Sequence, residues 1–292
     1  MTARELDTAL TRMVAEATPG VCITPRYRLR YFAWGESAGP PLVFIHGMND
    51  LARSFAPVMA RLVDAGFRCV AYDLPCGDGD GANLGMVRHP HFTADLVCLL
   101  DHLGVVRCDL FGSSFGSTIA LRTAGEHPDR VRRVVLQGGF ARRPLHWSER
   151  GLARLGRYWF GVRMGDLPFR GRQMWQLEGG PFAGLADAAA WRFLLANTAG
   201  SPARACALQT LMLDRLDLRP LLGRVRSPVL MIGGDRDGIV PRRYEAEVEA
   251  GVPDVRRAEF RGCGHYPQYT RVAETAAEVV QFLPLKAGPE SA

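Results

Sequence analysis

The sequence predicts an α/β fold: a mostly parallel, doubly wound sheet with helices on both faces and an inserted helical segment. Three observations carry this. Strand-like and helix-like runs alternate from about residue 27 to residue 140. The alternation stops between 141 and 218, where the chain is helical in pattern and rich in Trp, Phe and Arg. It resumes from 219 onward. The expected division is a core of 1–140 and 219–292, with 141–218 as a helical cap.

Each element has its own signal. Leu6, Leu10, Met13 and Val14 suggest a short amphipathic helix laid on the body. Charged residues interrupt this stretch, so it does not read as a secretory leader. Tyr27 to Trp34 alternates like a strand. Leu42 to His46 is a continuous apolar run, as expected of a strand buried on both faces. Ser54 to Ala65 has helical spacing, with Ser54 as a plausible cap. Arg68 to Asp73 is the next strand. The loop that follows, Cys76 to Gly81, looks long and flexible. A helix over Phe92 to Leu103, a strand and helix around residues 107–121, and a strand over Val131 to Gln137 complete the first half. In the last part, strands at Ser227 to Ile232 and Val255 to Phe260 alternate with helices at Arg242 to Ala250 and Thr270 to Phe282.

Composition narrows the class. The chain has 292 residues, 47% hydrophobic and 23% charged, which suits a globular enzyme with one large core. No run approaches the ~18 apolar residues of a membrane span. The net charge of +6 comes almost wholly from arginine, Lys286 being the only lysine. These arginines are dispersed and accompany no nucleic-acid motif, so a nucleic-acid partner is not expected. The seven cysteines form no C-x-x-C pair, which points to a reducing, cytoplasmic setting and to no zinc site. The aspartates of the Cys76 to Gly81 loop lack the spacing and terminal Glu of a calcium loop. Neither a metal nor a cofactor is expected.

The chemistry-bearing pattern is Gly112-Ser113-Ser114-Phe115-Gly116, a G-x-S-x-G between a strand and a helix. In that context the motif places a serine on a sharp, strained turn, with small neighbours so that the turn can close. A serine hydroxyl needs a base within hydrogen-bond reach, and a histidine has a suitable pKa. A carboxylate must then hold the imidazole. Asp235 and Asp237 both follow a later strand, and His265 follows the next one in an uncrowded glycine turn.

Ser, then Asp, then His is a recognisable order. With His46-Gly47, the elbow, Asp237-x-Ile239-Val240-Pro241 and Gly264-His265-x-Pro267, the chain resembles the α/β-hydrolase fold family, in its lid-bearing branch of serine hydrolases. The resemblance spans about Tyr27 to Phe282. It implies Ser114, Asp237 and His265 as catalytic triad, with Asp235 as a turn or supporting residue. It implies the backbone N–H groups of Met48 and Phe115 as oxyanion hole. His46, Gly47, Trp159 and Trp175 are the expected substrate-binding residues. Arg142, Arg143, Arg150, Arg154 and Arg157 open the cap and suggest either an anionic substrate or a solvated helix face. The expected activity is hydrolysis of an ester or similar acyl bond in a small to medium, partly apolar substrate, of the carboxylesterase type (EC 3.1). Acyl transfer, a slow or non-catalytic binding role, and a homo-oligomer stay open.

Overall fold

The computed structural model describes residues 2–36, 41–168 and 188–283. Its centre is an eight-stranded sheet in the order β1-β2-β4-β3-β5-β6-β7-β8. The strands are β1 (Thr18–Ile23), β2 (Arg28–Trp34), β3 (Leu42–Ile45), β4 (Cys69–Tyr72), β5 (Cys108–Ser113), β6 (Val131–Gln137), β7 (Val229–Gly234) and β8 (Val255–Phe260). β1 with β2 and β2 with β4 are antiparallel; every other pairing is parallel.

The parallel strands read as unbroken apolar runs because both their faces are buried. Side chains alternate across a strand, and the core divides accordingly. Val43, Ile45, Val70 and Leu110 enter one apolar cluster, while Leu42, Phe44, Ala71 and Phe111 enter the other. Each such side chain withdrawn from water contributes roughly 1.5–3 kcal/mol before entropy is counted. Helices α3 (His89–His102) and α4 (Phe115–Glu126) cover the first face. Helices α1 (Ala3–Glu16), α2 (Ala56–Asp64) and α9 (Val272–Phe282) cover the second, and α8 (Arg242–Gly251) follows β7.

Four local expectations are corrected. The N-terminal helix forms and is capped by Thr2 and Glu5, but it buries Leu6, Ala9 and Met13 and leaves Val14 85% exposed. Strand β1 is not foreseen: it pairs as an edge with β2, where one antiparallel neighbour suffices. Ser54 does not cap α2. It lies in a 3₁₀ turn, Ala52–Phe55, and the helix starts after Phe55 with Pro57 in its first turn. The Cys76 to Gly81 loop is folded around its own aspartate. Asp80 is buried and its carboxylate accepts from the N–H groups of Cys76 (2.8 Å), Gly77 (3.1 Å) and Ala82 (2.8 Å). Gly77, Gly79 and Gly81 take the left-handed backbone that this wrapping requires.

Between β6 and β7 the described residues contribute α5 (Trp147–Gly156), α6 (Ala188–Ala199) and α7 (Ala203–Leu213), with one isolated bridge, Arg163 to Pro202, and no named strand. Among the described residues no helix is long and apolar enough to cross a membrane.

Candidate active site

The site forms where β3, β5, β6, β7 and β8 end. Strand β5 runs directly into Ser114, which adopts φ 50°, ψ −115°, and α4 begins at the next residue. Such a backbone is strained for a residue with a Cβ, and the surroundings hold it there. The Ser114 N–H donates to the Gln137 carbonyl at 2.8 Å, and its carbonyl accepts from Ser117 N–H at 2.9 Å. The flanking glycines are obligatory. A Cβ on Gly116 would stand 2.1 Å from the Ile45 carbonyl oxygen, and one on Gly112 would stand 2.6 Å from the Gly116 oxygen.

Across the strand ends, His265 Nδ1 lies 2.6 Å from Asp237 Oδ2, with both side chains almost wholly buried. The other oxygen of Asp237 accepts from the N–H groups of Ile239 and Val240, each at 2.8 Å. Burial by itself would raise the Asp237 carboxyl, but the imidazole and these two N–H groups outweigh it and hold the group below the usual carboxylate range. Asp235 instead braces the histidine loop by accepting from Gly262 N–H at 2.7 Å. The two aspartates are thus separated by what they hold.

Met48 follows His46-Gly47 on the turn after β3. A Cβ placed on Gly47 would lie 3.4 Å from Ser114 Cβ, so this turn lies against the candidate nucleophile. Among the described residues, the N–H groups of Met48 and Phe115 have no recorded acceptor. His46 has both ring nitrogens engaged. Nδ1 contacts the Gly47 carbonyl at 2.7 Å, and Nε2 accepts from Leu74 N–H at 2.9 Å. These contacts tie the turn after β3 to the loop after β4. Trp159 is half-buried beyond α5, with its ring against Gly156. Trp175 lies outside the described residues.

Two sets of supporting residues escape sequence reasoning. Gln137, fully buried at the end of β6, donates through Nε2 to Ser113 Oγ at 3.0 Å and also contacts Gln268. It therefore joins the serine turn to the histidine loop. Gly138 follows in the left-handed region at φ +54°. A Cβ there would lie 2.7 Å from His265 Cε1 and 3.4 Å from Asp237 Oδ2. The second set stands behind Phe115. Arg122 Nε donates to His89 Nδ1 (3.0 Å), His89 Nε2 donates to Thr118 Oγ1 (2.8 Å), and that hydroxyl donates to the Phe115 carbonyl (2.6 Å). Burial, aided by Arg122, drops the His89 pKa to about 3, so its ring stays neutral and the relay keeps one polarity. The rings of Phe92 and His89 meet Phe115 edge-on at 5.3 and 5.9 Å.

A cavity of about 280 Å³ borders His46 and Asn49 and extends under α6 and α7. Its lining is mixed and includes the polar side chains of Asp50, Arg53, Asp73 and Asn197. Asp50 is buried, its carboxyl raised by that burial, and it accepts from Asn197 Nδ2 at 2.7 Å. Arg163 pairs with Asp78 (3.1 Å) and so fastens the helical segment to the loop after β4. Of the segment's arginines, Arg142 pairs with Glu247 (3.2 Å), Arg143 with Glu149 (2.8 Å) and Arg150 with Asp214 (2.7 Å).

A strained serine turn, a buried His–Asp pair and a parallel sheet with helices on both faces define a class of hydrolase-like proteins. The chain belongs to the α/β-hydrolase fold family, whose description matches residues 40–272. It is 24% identical over 267 residues to 2-hydroxy-6-oxo-6-phenylhexa-2,4-dienoate hydrolase of Comamonas testosteroni, covering 88% of this chain and 91% of that one. It is 25% identical over 261 residues to pimeloyl-[acyl-carrier protein] methyl ester esterase of Aliivibrio salmonicida, covering 85% and 94%. In structure it is similar to an esterase from Exiguobacterium antarcticum, with a TM-score of 0.79 at 17% identity over 92% of this chain and all of that one.

Proposed function

We propose that the chain is a serine hydrolase that cleaves an ester or related acyl bond through an acyl-enzyme. The observation that carries this is the buried His265–Asp237 pair at 2.6 Å, at the same strand ends as Ser114 on its strained turn. His265 Nε2 takes the Ser114 proton as Oγ attacks the carbonyl carbon. Asp237 keeps the other imidazole proton on Nδ1 and stabilises the imidazolium. The N–H groups of Met48 and Phe115 receive the oxyanion, each donor accounting for ~10²–10³ in turnover. The imidazolium then gives its proton to the leaving alcohol, and water, activated by the same ring, releases the acid. The ester esterase among the relatives favours this bond type. Segment 141–218 acts as the cap, and small-molecule acyl compounds are the substrates.

Ser114→Ala and the wild type are compared on p-nitrophenyl acetate and butyrate, with a fluorophosphonate as labelling probe. Loss of at least about 10⁴-fold in kcat is expected, with labelling confined to the wild type. A folded Ser114→Ala protein that keeps its turnover would falsify the reading.

A further inference from the structure

Helix α7 separates two cavities. Pro202, Ala205, Cys206 and Gln209 front the one beside His46. Leu208, Leu211 and Met212, with Arg215 just past the helix end, front a second, of about 510 Å³, from a different face. Both sets follow the i, i+3, i+4, i+7 spacing of a single helix face.

The second cavity has two kinds of lining. One is apolar, from Leu208, Leu211, Met212 and Leu216 of the α7 region with Leu84 and Val87. The other is basic, from Arg88, Arg122, Arg154, Arg157 and Arg215. Asp214 is the one carboxylate among the described lining residues, and Arg150 already occupies both of its oxygens, at 2.7 and 2.8 Å. Arg122 also lines it, with its side chain only 16% exposed, its Nε on His89 and one end of its guanidinium paired with Glu126 at 2.6 Å. Among the described residues Arg154 and Arg215 form no ion pair, although Arg154 is near enough to Asp214 to help hold that carboxyl down. The groove therefore combines an excess of positive charge with apolar surface. The cavity beside His46 is different, since Asp50, Asp73, Asp78 and Asp80 line it as well as arginines.

We propose that this groove binds an amphiphilic anion: an alkyl chain lying along the apolar face of α7, with a carboxylate or phosphate head held by Arg122, Arg154 and Arg215. An inorganic anion alone would leave the apolar lining in water. A neutral amphiphile would bury that lining but give the guanidinium groups no partner. Only a molecule with both parts matches both kinds of lining.

Calorimetric titration of the Ser114→Ala protein tests this without turnover, so the result is independent of the esterase reading. The probes are decanoate, decyl phosphate, octanoate, decanol and inorganic phosphate, all below micelle-forming concentrations. Decanoate or decyl phosphate is expected to bind at one site, and whichever binds tighter identifies the head. Shortening decanoate to octanoate is expected to weaken binding roughly tenfold. The exposed pair Arg154→Ala/Arg215→Ala is expected to weaken the anion about tenfold or more. Leu211→Asn should weaken it through the apolar lining. Decanol binding as tightly as decanoate, inorganic phosphate binding as tightly as decyl phosphate, or affinity unchanged in the folded arginine variant would each overturn the proposal.

Discussion

At the scale of single residues, the site depends on side chains that are missing. Gly138 has no Cβ, and that vacancy is where the His265 ring stands. An alanine there would meet the ring at 2.7 Å in a backbone region that L-residues avoid. Gly138→Ala is therefore expected to lower kcat by about 10²-fold through a misplaced imidazole, with KM less affected. Steady-state kinetics on a p-nitrophenyl ester checks it, and a wild-type kcat would show that the ring does not need that space. The same logic governs Gly112 and Gly116. Their place was legible in the sequence because the G-x-S-x-G pattern is local, although the Ile45 carbonyl that Gly116 must clear is far off in the chain. Gln137 was not legible. Its partners His265 and Gln268 are 128 and 131 residues away, and only folding brings them together.

At the scale of elements, polar ties help fasten the helical segment. Asn197 on α6 is buried and holds Asp50, on the turn after β3, at 2.7 Å. The OH of Tyr269 lies 3.5 Å from the same carboxylate. Replacing the amide by an isosteric apolar group, Asn197→Leu, leaves a buried carboxylate short of a donor. A loss of about 1–3 kcal/mol is expected in urea unfolding. An unchanged midpoint and slope would mean that Asp50 finds another partner. Here the sequence is informative about helix content and silent about attachment. Apolar spacing marks a helix wherever it packs, whereas an Asn or an Arg reads as surface until its partner is known. Arg142, Arg143 and Arg150 illustrate this: each is matched by an acid.

For the molecule as a whole, burial of the sheet carries a pH signature. Asp109 opens β5 at the heart of the sheet, and burial pushes its carboxyl up to about 6, with Arg132 3.8 Å away only partly opposing it. Because the folded value lies above the unfolded one, the stability it contributes is full below about pH 4. It is lost as pH rises to about 6. Asp109→Asn removes that titration. The variant is expected to gain stability relative to wild type, on the order of 1–3 kcal/mol, as pH is raised from 4 to 7. Paired Tm series across that range check it, and a difference that does not change with pH would refute it. The architecture itself was legible, because parallel strands buried on both faces must be apolar throughout. The edge was not. β1 needs only one neighbour and one covered face, and Thr18-Pro19-Gly20-Val21-Cys22-Ile23 carries too little pattern to announce it.

Helix α7 is a partition with rooms on both sides. A substitution on it acts on one room alone, since each side chain faces only one way. A displacement of the whole helix acts on both at once. Side-chain exchange and rigid-body movement of this helix are therefore distinguishable in kind. The first has a single volume as its variable, and the second couples two volumes into one coordinate.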